Sequence, residues 1–166
     1  LMKKQKYPYF FGYSPLVVPK PSDWKPPSDL VGFLSEGLPP VYVGFGSTTD
    51  SDPETLTEIV LKALAISGQR GILLTGWMGL NKADLPDYVF KLESVPHDWL
   101  FSQMSVVVHH GGAGTTAAGL RAEIPSIIIA SRAEMYFWGR RVAALGVSPQ
   151  PILCRELSAE RLSTAI

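Results

Sequence analysis

The chain has 166 residues, 46% of them hydrophobic and 18% charged, and its 15 Lys and Arg balance 15 Asp and Glu. This fits one folded domain with a real core, and the zero net charge lacks the basic excess of a nucleic-acid binder, so no nucleic-acid partner is expected. The single cysteine, Cys154, excludes an internal disulfide and a cysteine zinc cluster.

Taken in order, the chain starts Leu1-Met2-Lys3-Lys4 and runs into aromatics and prolines instead of an apolar signal segment. A cytoplasmic location is therefore expected, and because Leu1 is not a natural start, the chain is expected to be a piece of a longer protein. No apolar run approaches the roughly 20 residues of a membrane span. Residues 1–40 carry Tyr7-Pro8-Tyr9-Phe10-Phe11 and then Pro15, Pro19, Pro21, Pro26, Pro27, Pro39 and Pro40. Proline fixes φ and removes a donor, which argues against long regular elements. The segment reads as a linker arm with one short helix over Ser28–Ser35, its aromatics either lining an interface or anchoring the arm. The domain proper spans 41–166.

Val41–Phe45 is a buried strand by composition, with a turn over Gly46–Thr49. Asp52-Pro53 marks a helix start, with Leu56, Ile59, Val60, Ala63 and Leu64 on one face and Gly68 closing it. Further strands follow at Gly71–Thr75 and Val89–Glu93, then a short helix over Pro96–Met104. The strand Val106-Val107-Val108 ends in His109-His110, and a glycine turn leads to a helix from Ala117. Pro125–Ala130 is another buried strand. Glu134–Leu145 is a helix that Gly146 ends, and Leu157-Ser158 opens the last helix. Apolar strands alternating with helices predict an α/β domain, a Rossmann-like parallel sheet with helices on both faces.

Ligands of such sheets sit beyond the carboxyl ends of the strands. Four loops meet there: Gly46–Thr49, Val95–Asp98, His110–Thr116 and the segment after Ala130. In the third, free backbone N–H groups and the positive end of a helix dipole face one point, which favours a phosphate. Thr115 and Thr116 add hydroxyls there, and His110 adds an imidazole. Adjacent strand residues point to opposite faces, so only one of His109 and His110 readily faces a ligand, and His110 adjoins the turn. His97 either caps the short helix or touches a base. Ser47 and Thr48 reach a second phosphate or a sugar, or form a plain turn. Trp77, Trp99 and Trp138 read as packing. Three scattered histidines argue poorly for a metal.

Gly112-x-Gly114-x-x-Ala117 also matches the dinucleotide fingerprint, with Glu134 about 20 residues on. That fingerprint usually follows the first strand of its unit, whereas several strands precede it here. No G-x-x-x-x-G-K-[ST] loop of a P-loop ATPase is present.

Four blocks together resemble the UDP-sugar-dependent glycosyltransferases, in particular the branch of sterol 3-β-glucosyltransferases with its bacterial and fungal relatives. They are Val41–Ser47, Pro96-His97-Asp98-Trp99-Leu100-Phe101, His109–Thr116 and Phe137-Trp138-Gly139-Arg140-Arg141-Val142. The resemblance covers nearly the whole chain and implies the C-terminal, donor-binding half of a GT-B fold. It implies that backbone around Val95 holds the uracil edge, with His97 beside it. It places the diphosphate on His110, Gly112, Ala113, Gly114, Thr115 and Thr116, and brings Gly46 and Ser47 to the phosphate and sugar. The reaction implied is an inverting displacement at the anomeric carbon, without a metal or other cofactor. The catalytic base belongs to the N-terminal domain, so no catalytic residue is assigned in this chain.

Two departures stand out. Where the family has Asp-Gln against the sugar hydroxyls, this chain has Glu134-Met135, and a thioether cannot replace an amide's hydrogen bonds. Relatives also carry a Gly-Tyr-Trp strand where Asp23-Trp24-Lys25-Pro26 here runs straight into the first helix.

The expectation is the UDP-glucose-binding half of a transferase acting on a sterol or other lipophilic acceptor, inactive alone. Copies are expected to pair through the exposed cleft face, and the full-length protein to sit peripherally at membranes. The alternatives are a binding or interaction module with a degraded sugar site, and a dinucleotide oxidoreductase.

Overall fold

The computed structural model describes residues 26–46, 52–74 and 85–166. Its strands are β1 (Val41–Gly44), β2 (Gly71–Leu74), β3 (Val89–Leu92), β4 (Val106–His109), β5 (Ser126–Ala130) and β6 (Ile152–Leu153). Its α-helices are α1 (Ser28–Ser35), α2 (Pro53–Ser67), α3 (His97–Leu100), α4 (Ala113–Arg121), α5 (Ala133–Ala144) and α6 (Ala159–Ala165). The strands form one parallel sheet in the order β3-β2-β1-β4-β5-β6.

Strand alternation explains why both faces are covered. Val41, Val43, Leu73, Val106, Val108, Ile127 and Ile129 point to one face, where Val60, Leu61 and Leu64 of α2 and Leu162 of α6 close over them. Tyr42, Ile72 and Val107 point to the other, against Leu30 of α1, Leu100 of α3, Phe101 directly after it, and Ala118 of α4. Ile128 and Ala130 meet Val142 and Met135 of α5.

The helix ends follow the sequence. Asp52 accepts from the Thr55 backbone N–H at 2.9 Å and from its hydroxyl at 2.7 Å, which caps α2. Gly68, at φ +66°, ends it. Ser158 caps α6 through the Arg161 N–H at 3.2 Å.

Of the arm, residues 26–40 are described. The expected helix over Ser28–Ser35 forms, and its Leu30 is completely buried. Arg70 ties this segment to β2: its guanidinium donates to the carbonyls of Phe33 (2.6 Å) and Leu38 (2.8 Å).

The structure differs from expectation in two places. First, α4 starts at Ala113, not Ala117, so most of the expected glycine turn is the first turn of the helix. Glycine and threonine cost a helix only up to about 1 kcal/mol each, and burial of Thr116, Ala118 and Gly119 outweighs that. Second, β6 went unforeseen because it is two residues long and directly follows Pro151. No helix among the described residues is long and apolar enough to cross a membrane.

Candidate functional site

The chain runs outward from β1 through β2 to β3, then crosses back to place β4 on the other side of β1. The loops leaving β1 and β4 therefore diverge, and the crevice between them is where such sheets bind ligands. It is built from Gly44–Gly46 on one side and His109–Gly112 on the other.

Glycine is required at its centre. Gly46 and Gly111 adopt φ of +60° and +87°. A Cβ on Gly46 would lie 3.2 Å from His110 Cε1, and one on Gly112 would overlap His110 Nε2. The imidazole of His110 is thus held between the two loops, with Nε2 beside the residue that caps α4.

Gly112 opens α4 without a side-chain cap. The first bond of the helix runs from the Thr116 N–H to the Gly112 carbonyl at 2.9 Å. The N–H groups of Ala113, Gly114 and Thr115 precede it and have no acceptor within the helix. Nothing lies within 4 Å of a Cβ built on Gly114, so the space over this turn is open. Open donors and the positive end of a helix dipole together suit an anion.

The three histidines differ. His110 is half-buried, and burial lowers its pKa below the usual value. Its Nδ1 is buried without a partner. His109 is fully buried and accepts the Gly111 N–H at Nδ1 (3.1 Å), which places its own proton on Nε2. Burial, with His110 and His97 nearby, takes its pKa down to about 3. The two rings stand at 89°, with centroids 6.3 Å apart.

His97 stacks on Phe101 at 4.5 Å, and its Nε2 lies 3.2 Å from the Tyr42 hydroxyl. Burial foremost lowers its pKa to about 4, while burial raises that of Tyr42. Both groups are neutral near pH 7, and His97 Nε2 is engaged by Tyr42.

The other candidate residues fall as follows. The Val95 side chain is buried, which leaves no side-chain contact for a ligand there. Thr116 is 3% exposed and its hydroxyl donates to the Gly112 carbonyl at 2.9 Å; that hydroxyl stiffens the helix start instead of facing the crevice. Thr115 is half-buried on the same turn. Glu134 is exposed and Met135 half-buried in the first turn of α5. The Met135 carbonyl would lie 3.0 Å from a Cβ on Gly111, so α5 starts directly against the β4 turn. Trp99 is half-buried against the α1–α3 core, and Trp138 packs edge-on to Phe137. Ser47, Thr48 and Trp77 lie outside the described residues.

Two participants escaped the sequence reading. Tyr42 positions His97, and its one signal is alternation: it shares a strand face with Gly44, where a Cβ would overlap its hydroxyl. Ser131 donates to Met135 Sδ at 3.4 Å, across the four-residue spacing at the exit of β5. Among the described residues no cluster of His, Cys, Asp and Glu is arranged to hold a metal ion.

The chain is similar to known proteins in sequence and in fold. Residues 72–166 match the family described as erythromycin biosynthesis protein CIII-like, C-terminal domain. The chain is 46% identical over 178 residues to the sterol 3-beta-glucosyltransferase UGT80A2 of Arabidopsis thaliana, covering 96% of this chain and 28% of that protein. It is 36% identical to the sterol 3-beta-glucosyltransferase of Aspergillus terreus, covering 99% of this chain and 14% of that protein. The chain thus spans under a third of the length of these relatives. Among solved structures it resembles the glycotransferase of kitacinnamycin (TM-score 0.67, 23% identity, 87% of this chain and 36% of that one). It also resembles Os79 from O. sativa in complex with UDP (TM-score 0.70, 14% identity, 81% of this chain and 33% of that one).

Proposed function

Because the chain belongs to the erythromycin biosynthesis protein CIII-like C-terminal domain family, the donor-binding half of GT-B glycosyltransferases, we propose that it holds a UDP-sugar in the β1–β4 crevice. The diphosphate lies over the first turn of α4, on the N–H groups of Ala113, Gly114 and Thr115. His110 Nε2 supports it from the Gly112 side. The observation that carries this is the convergence of open helix donors, a held imidazole and two positive-φ glycines at the switch point of the sheet. The UDP bound by Os79 supports the choice of nucleotide.

In the whole protein the reaction is transfer of a hexose to a sterol or similar lipophilic acceptor, a reading supported by the names of the sequence relatives. This half binds the donor and stabilises the departing diphosphate through oriented N–H groups and the helix dipole, where negative charge grows as the glycosidic bond breaks. No residue described here is assigned as the base that takes the acceptor's proton. The reading assigns this half no cofactor and the whole protein a cytoplasmic place, peripheral at membranes.

Calorimetric titration with UDP, UDP-glucose and NAD tests the proposal. UDP binding that weakens at least tenfold in His110→Ala is the expected result. Binding of NAD with no binding of UDP would overturn it in favour of a dinucleotide site.

A further inference from the structure

We infer that the outer face of α5 docks on the surface of an anionic lipid bilayer, with Phe137 entering the headgroup layer and Arg140 and Arg141 meeting anionic headgroups beside it. The docking stands apart from the donor-site reading; only its consequence for an acceptor rests on that reading. The two sides of α5 differ sharply. Val142 is buried with Ile128 and Ala130, and a Cβ on Gly139 would overlap Pro151. On the opposite side Phe137, Arg140, Arg141 and Ala144 follow at helical spacing, so they share a face, and all four are exposed. Tyr136 and Leu145 flank the row. Phe137 is 55% exposed and Leu145 67%, a large apolar area for water to cover.

Charge selects the occupant. The chain as a whole is neutral, yet this row is basic. Among the described residues neither Arg140 nor Arg141 is in an ion pair. The one acid of the helix, Glu134, lies in its first turn. An exposed aromatic ring beside unpaired arginines suits an anionic lipid surface: the ring enters the boundary between headgroups and chains, and the guanidinium groups meet phosphate and carboxylate. A second copy suits the face less well, because two α5 faces related by a two-fold axis would set four arginines against two glutamates. The face also borders the crevice. A Cβ on Gly111 would stand 3.0 Å from the Met135 carbonyl, so the first turn of α5 adjoins the turn after β4. A bilayer on this face therefore lies beside the donor, and a lipophilic acceptor has a short path to it.

The experiment is co-sedimentation of the chain with vesicles of phosphatidylcholine alone and of phosphatidylcholine with about one-third phosphatidylserine. Binding to the anionic vesicles only, weakened by added salt, is the expected result. Arg140→Glu and Phe137→Ser should each lower the affinity about tenfold while the circular dichroism spectrum keeps its shape. Lys62→Glu makes the same charge change on α2, which covers the other face of the sheet, and should leave vesicle binding within about twofold. No binding to either vesicle would overturn the inference, as would equal binding to both. Equal losses in Arg140→Glu and Lys62→Glu would overturn it too, because the attraction would then belong to no one face. So would a dimer in light scattering that Phe137→Ser dissolves, which would give the face to a second copy. UDP titration of the same samples is read separately: failure of UDP to bind would overturn the donor-site reading and leave the docking face standing.

Discussion

The backbone N–H of Gly111 donates to His109 Nδ1 at 3.1 Å, so the last residue of β4 fixes the turn that opens the crevice. The bond leaves His109 Nε2 as a buried donor without a partner. His109→Leu would exchange that orphan for another, the Gly111 N–H. Global stability is therefore expected to stay within about 1 kcal/mol. The turn at φ +87° loses its anchor, however, and UDP affinity should fall several-fold. His109→Asn offers an oxygen near the place of Nδ1 and should retain most of the affinity. Denaturant unfolding and UDP titration of the two variants check this, and equal affinity in Leu and Asn would show that the turn holds itself.

His110 makes donor binding depend on pH. Burial lowers its pKa in the free protein, so the ring is neutral at pH 7. A diphosphate beside Nε2 favours the charged ring and raises the pKa in the complex. The complex then binds more protons than the free protein, and affinity rises as pH falls through the bound-state pKa. A UDP-sugar is the suitable ligand, because it has no terminal phosphate titrating near 6. Isothermal titration from pH 8 to 5.5 should show this rise in the natural sequence and a flat profile in His110→Ala.

Gly112→Ala separates binding from folding. The residue has φ −62° and ψ 140°, open to any side chain, so the backbone tolerates alanine. The new methyl would overlap His110 Nε2 and push the ring from its place. UDP affinity is expected to drop at least tenfold while the circular dichroism spectrum keeps its shape. Unchanged affinity would mean that His110 does not touch the ligand.

The sheet and its crevice were legible because the strands are apolar along their whole length and glycines punctuate their ends. Val41–Gly44 and Val106–His109 announce buried parallel strands, and Asp52-Pro53 and Gly68 bracket α2 by their capping chemistry. The start of α4 was less legible. Gly112-Ala113-Gly114-Thr115-Thr116 has the composition of a turn, and only the packing of α4 against its neighbours makes it helical. Whether a histidine faces in or out was legible only as a pair: alternation separates His109 from His110, but which of them meets the ligand depends on where the strand ends. His97 shows the limit. Nothing in Pro96-His97-Asp98 reveals that its ring stacks on Phe101 and meets a tyrosine 55 positions earlier.

Acid should unfold the protein through its buried histidines. His97 and His109 have native pKa values of about 4 and about 3, both depressed mainly by burial, against 6.5 in the unfolded chain. Groups with depressed native pKa values leave the unfolded state with more bound protons, so stability rises with pH. It is undiminished by these groups above 6.5 and is lost progressively as pH falls to 4 for His97 and on to 3 for His109. At pH 5, unfolding is expected to take up on the order of two protons from this pair. Calorimetric unfolding in buffers of different ionisation enthalpy measures that uptake, and His97→Gln should reduce it by about one.

The Tyr42–His97 pair gives the last prediction. Tyr42 is 1% exposed and its ring meets Phe101 at 4.9 Å, so Tyr42→Phe retains the packing and deletes only the hydroxyl. His97 Nε2 then lies in an apolar setting without its partner, at a cost of about 1–3 kcal/mol. If the pair also holds the Val95–His97 segment in register for a nucleobase, UDP affinity falls along with stability. If UDP affinity is unchanged while stability falls, the pair is a strut for β1 and α3 and nothing more. Stability within 0.5 kcal/mol of the natural sequence would mean that the 3.2 Å contact contributes no net free energy, because His97 regains in water what it loses from the tyrosine.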